Sequence, residues 1–183
     1  MKILAIEHSR IGYFIDSVFY LAAVLLLSGF ILLFTPSHTW FETALYVVAG
    51  LAIWSLLEYA MHRFVLHRID PFRRLHDEHH RQPQALLATP TLLSAVLIIV
   101  FVFLPATLLG NLLIGCGITL GVTTGYFAFG VVHYAVHHSR LHGTWLIQRR
   151  RLHAQHHRFP DRHFGVTMTI WDRIFRTDKT GIS

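Results

Sequence analysis

A single cysteine, Cys116, excludes an intramolecular disulfide and a metal site built from thiolates. Its simplest role is that of a small residue in a buried helix. Charge is also scarce. Only 14% of the 183 residues are Asp, Glu, Lys or Arg, against 53% hydrophobic, and the apolar residues are clustered, which points to a membrane protein. No Glu-x-x-His pair occurs, which removes the carboxylate-bridged ligand set of soluble metal-binding bundles. The net charge of +6 comes with no groove-reading motif, and its basic residues alternate with apolar spans, so nucleic acid is excluded as a partner. No small-residue cleavage site follows the first apolar run, which therefore reads as a retained span rather than a signal peptide.

What is present is four apolar runs, at about residues 17–34, 43–61, 92–109 and 112–136, each near the length that crosses a bilayer core as a helix. The expected fold is all-α, a four-helix transmembrane bundle within one domain, residues 1–183. Thr35-Pro36-Ser37 ends the first run, and Trp40 beside it reads as an interface anchor. Pro105 is expected to kink the third run or end it. Gly117, Gly121 and Gly125 recur every four residues in the fourth, a stripe that suits close helix packing better than a groove for an acyl chain. Residues 1–16 are expected at the membrane surface, with His8 solvated, and His38 reads as an ordinary loop residue.

The 16 basic residues fix an orientation. Lys2 and Arg10 precede the first span. Arg63, Arg68, Arg73, Arg74 and Arg81 lie between the second and third, and all the others, from Arg140 to Lys179, follow the fourth. The short turns at 35–42 and 110–111 have none. Both termini and the long loop are therefore expected in the cytoplasm.

That topology gathers the histidines on one face. His62, His67, His76, His79 and His80 lie in or beside the long loop; His133, His137, His153, His156 and His157 end the fourth span and follow it. In each set the last three stand at i, i+3 and i+4, a spacing expected to aim all three at one point. Ten imidazoles exceed the four ligands of one tetrahedral zinc and suit two metal ions. About five nitrogens per ion favours five- or six-coordinate iron over structural zinc. His62 and His67 are awkward, because five residues is about 140° past a full helical turn. The helix is expected to unwind or bend between them, or the pair to serve different ions. Glu78 points away from His76 and His80. Asp77, Asp161 and Asp172 are either acceptors for imidazole N–H groups or ordinary surface and capping acids.

The order H-x4-H, H-x2-HH, H-x3-H, H-x2-HH resembles the fatty acid hydroxylase/sterol desaturase superfamily of membrane oxygenases. EYAMHRFVLH and RLHDEHH resemble its first two histidine boxes, HYAVH the third and RRLHAQHH the fourth, and the tail HFGVTMTIWDRIFRT is similar to the family's closing segment. The resemblance implies a cytoplasmic helical cap carrying a di-metal site, with His62, His67, His76, His79, His80, His133, His137, His153, His156 and His157 as its ligands. It implies two iron ions, with zinc able to occupy the isolated protein, and dioxygen as co-substrate. It also implies hydroxylation of a lipid C–H bond, on a fatty acyl chain first of all. The lipid would enter from the bilayer. With no cytochrome b5-like segment in the chain, electrons are expected from a separate protein. The spacing from His67 to His76 is shorter than in fatty acyl 2-hydroxylases of the family. His138, His142 and His163 match no ligand position, and His163 is expected to serve as a turn residue before Phe164-Gly165.

Desaturation, or hydroxylation of a sterol or carotenoid, would use the same centre. A metal transporter would instead place its ligands near the bilayer midplane, whereas these lie at and beyond the ends of the second and fourth spans. Reporter fusions after residues 38, 85, 111 and 183 are expected to read outside, inside, outside and inside; an outside signal at 85 refutes this topology.

Overall fold

The structure is a computed structural model, and it describes residues 10–86, 90–140 and 142–179. His8 lies outside the described residues. Among them there are helices and no strands: α1 (Arg10–Phe34), α2 (Trp40–Ala60), α3 (Phe72–Arg81), α4 (Thr91–Ile98), α5 (Leu104–Leu109), α6 (Leu112–His138), α7 (Thr144–Arg158) and α8 (Ile170–Ile174). Four helical stretches are long and apolar enough to cross a membrane: Gly12–Phe34, Ser37–Leu66, Thr91–Leu109 and Leu112–His138. The expected all-α class with four spans is what the structure has. The chain divides into two compact units, and the division falls within α2 and α6.

The first unit, described for residues 10–54 and 90–127, holds most of the apolar helices. Ile31, Cys116 and Leu120 form its buried centre, with Val24, Leu27, Phe30, Val47 and Phe103 packed against them. Its exterior is apolar too. Leu33 is 80% and Leu109 90% exposed, surfaces that suit lipid and not water.

Glycine sets how closely α2 and α6 approach. A Cβ on Gly121 would stand 2.1 Å from the Val47 carbonyl oxygen, and one on Gly117 would stand 3.0 Å from Tyr46 Cβ. A Cβ on Gly125 would meet Trp54 Cδ1 at 2.3 Å. The stripe is therefore filled by α2, as small residues at membrane helix contacts allow. The third span does not end at Pro105. A π-helical turn, Ile99–Phe103, precedes it, and Pro105 falls in the first turn of α5. The widened turn accommodates the hydrogen bond that proline cannot donate, so the helix continues.

The second unit, described for residues 55–86 and 128–179, holds the ends of α2 and α6 with α3, α7 and α8. A π-helical turn, Met61–Leu66, extends α2. The tail folds back on itself through Asp172, which is wholly buried. Its carboxylate accepts the Phe164 N–H at 2.8 Å, the Gly165 N–H at 2.9 Å and the Thr177 hydroxyl at 2.8 Å. Gly165 is required there, because a Cβ would lie 1.8 Å from the Met168 carbonyl oxygen. The Phe-Gly turn and the Trp-Asp-Arg segment are thus one hydrogen-bonded structure.

Replacing Gly121 by leucine is expected to destabilise the protein by about 1–3 kcal/mol or more, since the obstruction is backbone. Gly29→Ala, with nothing within 4 Å of the added carbon, is expected to leave the thermal midpoint in detergent unchanged or slightly higher.

Candidate metal centre

Nine of the ten histidines fall into two groups whose ligand-type nitrogens all lie within 4.8 Å of one another. The first is His62, His67, His76, His80 and His156; the second is His79, His133, His137 and His153. His157 stands beside the second, its Nε2 3.1 Å from Nε2 of His153. The groups do not follow the order of the sequence. His79 leaves its neighbours for the second group, and His156 leaves its own for the first.

Helix geometry explains the exchange. At 100° per residue, positions i and i+4 are about 40° apart, while i+3 lies about 60° away on the other side. His76 and His80 therefore share one group, their Nε2 atoms 3.1 Å apart, and His79 is turned toward His133 at 3.1 Å. On α7, His153 and His157 pair in the same way, and His156 is turned toward His67 and His80, both at 3.1 Å. The expectation that each triplet aims at one point is corrected: α3 gives a pair to the first group and His79 to the second, while α7 gives His156 to the first and His153, with His157 beside it, to the second. His80 and His157, one from each pair, stack at 4.3 Å.

His62 and His67 belong to the same group, and the π-helical turn is the reason. Its hydrogen bonds span five residues rather than four, which brings positions five apart nearly into register. The two rings stack at 5.2 Å with a 17° interplanar angle. The helix thus unwinds locally, as expected, through a turn that holds more residues than an α-helical one, and the pair is not divided between groups.

Two backbone carbonyls orient the rings. His62 Nδ1 donates to the Phe164 carbonyl at 2.6 Å, and His156 Nδ1 to the Arg162 carbonyl at 2.6 Å. A carbonyl only accepts, so both rings carry their proton on Nδ1 and present an Nε2 lone pair to the group. The expected carboxylate acceptors do not do this. Asp172 holds backbone N–H groups, Asp161 pairs with Arg162 at 3.7 Å, and Asp77 is exposed.

The first group fits a cation and not a set of hydrogen bonds. Its Nε2 atoms form a chain from His62 through His76, His80 and His156 to His67, with contacts of 3.0–3.1 Å. Lone pairs on His62 and His156 require protons on His76 and His80. The contact between those two then has a proton on each side. Neutral imidazoles cannot satisfy all four contacts, whereas a metal ion accepts every lone pair at once. With metal–nitrogen bonds of about 2.1 Å, neighbouring donors lie about 3.0 Å apart at right angles and about 3.4 Å apart at the tetrahedral angle. The observed spacing matches the former.

Burial keeps these rings neutral at pH 7. It pushes His79 down to about 2, with further lowering by His137 and His157. His80 is pushed down to about 4 by burial and then His67, and His157 to about 4 by burial and then His80. His76 and His156 are driven lower still, by burial first and His62 next.

The other described histidines stay out of both groups. His138 stacks on Tyr134 at 4.6 Å, and His38 and His142 are exposed. His163 is buried in a left-handed conformation, φ 52°, which fits its expected place in the turn. Glu58 was not singled out by the sequence reading. It is buried, and accepts the Val166 N–H at 2.7 Å, the Thr167 N–H at 2.8 Å and the Thr167 hydroxyl. A carboxylate ending an apolar run was the available signal.

Fold and site together define a four-span membrane protein with paired, partly buried polyimidazole clusters. The fatty acid hydroxylase family model matches residues 47–177, and the chain belongs to that family. It is 30% identical over 147 residues to a dihydroceramide fatty acyl 2-hydroxylase of Arabidopsis thaliana, covering 74% of this chain and 61% of the relative. It is 30% identical over 148 residues to fatty acid 2-hydroxylase of Rattus norvegicus, covering 71% and 38%. The chain thus spans between about two fifths and three fifths of the length of these relatives. The solved structure of full-length scs7p, in which only the hydroxylase domain is visible, superposes with a TM-score of 0.80 at 24% identity, over 93% of this chain and 68% of that one. It shares the fold.

Without metal, the folded protein resists protonation of rings that are free to protonate once unfolded. Lowering the pH through about 6.5 toward about 4 therefore adds protons to the unfolded state first, and stability falls across that window. The thermal midpoint of chelator-treated protein is expected to drop steadily between pH 7 and pH 4.5; a flat profile would contradict the buried, neutral state of His80 and His157.

Proposed function

We propose that this chain is a membrane-bound di-iron oxygenase that hydroxylates a C–H bond of a fatty acyl lipid, and that the ten clustered histidines are its metal ligands. The observation that carries the reading is the pair of partly buried groups in which imidazole nitrogens converge. Donors of this number, all nitrogen, suit iron with positions left for an exogenous ligand. His62, His67, His76, His80 and His156 would hold one ion, and His79, His133, His137, His153 and His157 the other. When bound, the two ions supply the activation of dioxygen and the electron transfer that no side chain here provides.

The chain's own residues perform the rest. Phe164 and Arg162 carbonyls hold His62 and His156 with Nε2 directed at the ion. Burial of the rings excludes water and keeps them uncharged. The substrate is largely hydrocarbon, because the helices leading to the ligands are apolar, and it enters from the bilayer. The relatives are named for hydroxylation of carbon 2 of an acyl chain, and we take that carbon as the target. One oxygen atom enters the C–H bond; the other leaves as water, with the electrons supplied by a separate protein. The site and both termini face the cytoplasm, as the basic residues require, and the whole chain works as one hydroxylase domain.

An acidic electron donor would meet exposed Arg151 and Arg158 rather than Arg149. Arg149 is 8% exposed, lies over Trp145 at 5.7 Å, and feels the buried carboxylates of Glu58 and Asp172.

Lipids from cells expressing the protein are expected to contain a species heavier by one oxygen atom. Alanine at His62, His79, His133 or His156 should abolish it, and His38→Ala should not. A species lighter by two hydrogens would assign desaturation instead, and full activity in several of the histidine variants would defeat the metal-ligand reading.

A further inference from the structure

The two histidine groups are held from outside in unlike ways. The two carbonyls that meet imidazole Nδ1 atoms at 2.6 Å come from one short turn, Arg162 and Phe164, and both serve the first group. That turn is fixed at every residue. The His163 N–H donates to the Thr177 carbonyl at 3.0 Å, and its φ of 52° separates the two flanking carbonyls. Phe164 and Gly165 donate to Asp172, and Val166 and Thr167 to Glu58. Two buried carboxylates, one from α2 and one from α8, therefore grip consecutive N–H groups of the segment whose carbonyls face His62 and His156. In the second group, Nδ1 of His79 and of His153 is buried and has no protein acceptor among the described residues.

We propose that the Arg162–Phe164 turn, braced by Glu58 and Asp172, serves the first group alone and makes it the tighter of two unequal metal sites. The inference rests on the reading that each group holds one ion. An imidazole that donates Nδ1–H to a fixed carbonyl is locked in one tautomer and is a more basic ligand through Nε2. Its ring is also held in place before the metal arrives, so less order remains to be gained on binding. Loss of such an outer partner typically weakens metal binding about 10–100-fold. Glu58 is then a positioning residue. Its hydrogen bonds go to Val166 and Thr167, and it acts through them on the turn that touches His62.

Cobalt(II) titration of the metal-stripped full chain in detergent tests this, followed by visible absorption and by counting bound metal. The unmodified protein is expected to take up two Co²⁺ in steps at least about tenfold apart. His76→Ala should remove the tighter step and His133→Ala the weaker. Glu58→Ala should weaken the tighter step about 10–100-fold and leave the other in place. Glu58→Gln should restore it, because the amide oxygen still accepts both N–H groups. His163→Val, which resists a positive φ, offers a second route to the same loss if Glu58→Ala does not fold. Two steps of equal affinity would overturn the inference, as would a Glu58→Ala protein in which both steps weaken together. Fewer than two Co²⁺ per unmodified chain would overturn the two-metal reading itself, and the inference with it.

Discussion

Everything in this protein turns on the cost of bringing imidazole lone pairs together away from water. Neutral rings at 3.0–3.1 Å repel wherever no proton lies between them, and protonating them under burial is opposed by desolvation and by each other's charge. A metal ion resolves the conflict. Until it binds, the surrounding structure must hold the rings against their preference to separate, which explains how much of the chain acts on so few atoms. The buried carboxylates, the left-handed turn at His163 and the π-helical turn all constrain ring positions.

The exchange of His79 and His156 between groups binds the site into a single object. Neither α3 nor α7 serves one centre alone. Each gives an i, i+4 pair to one and the i+3 ring to the other, and the pairs stack through His80 and His157. Displacing either helix would disturb both groups at once. A site built from separate helices, one per metal, would lack that coupling.

The chemistry proposed here needs an apolar route to a dry centre, and the same sequence economy provides both. Apolar helices with exposed leucine exteriors suit lipid. Their glycine contacts, Gly121 against Val47 above all, set the spacing of α2 and α6; the π-helical turn that extends α2 carries His62, and α6 carries His133 and His137. The scarcity of charge and the abundance of histidine thus serve one design, in which substrate and metal are met by different parts of the same helices.

Much of this was legible in the sequence. Span lengths, the lack of charge within them and the placement of basic residues are local properties, and they determined the all-α membrane class. The spacing of histidines pointed to clustered imidazoles able to hold metal, since ten such residues have few other uses in so apolar a chain. Tertiary structure alone decided how the rings are shared. A one-turn pattern says which positions lie near one helix face, but not that 40° and 60° offsets would point to different groups once a second helix faces the first. It alone decided that His62 and His67 meet, because a π-helical turn depends on packing and not on local preference. Glu58 and Asp172 were equally hidden. Their partners lie up to 109 residues away, and a carboxylate's role is set by the N–H groups that the folded chain brings to it.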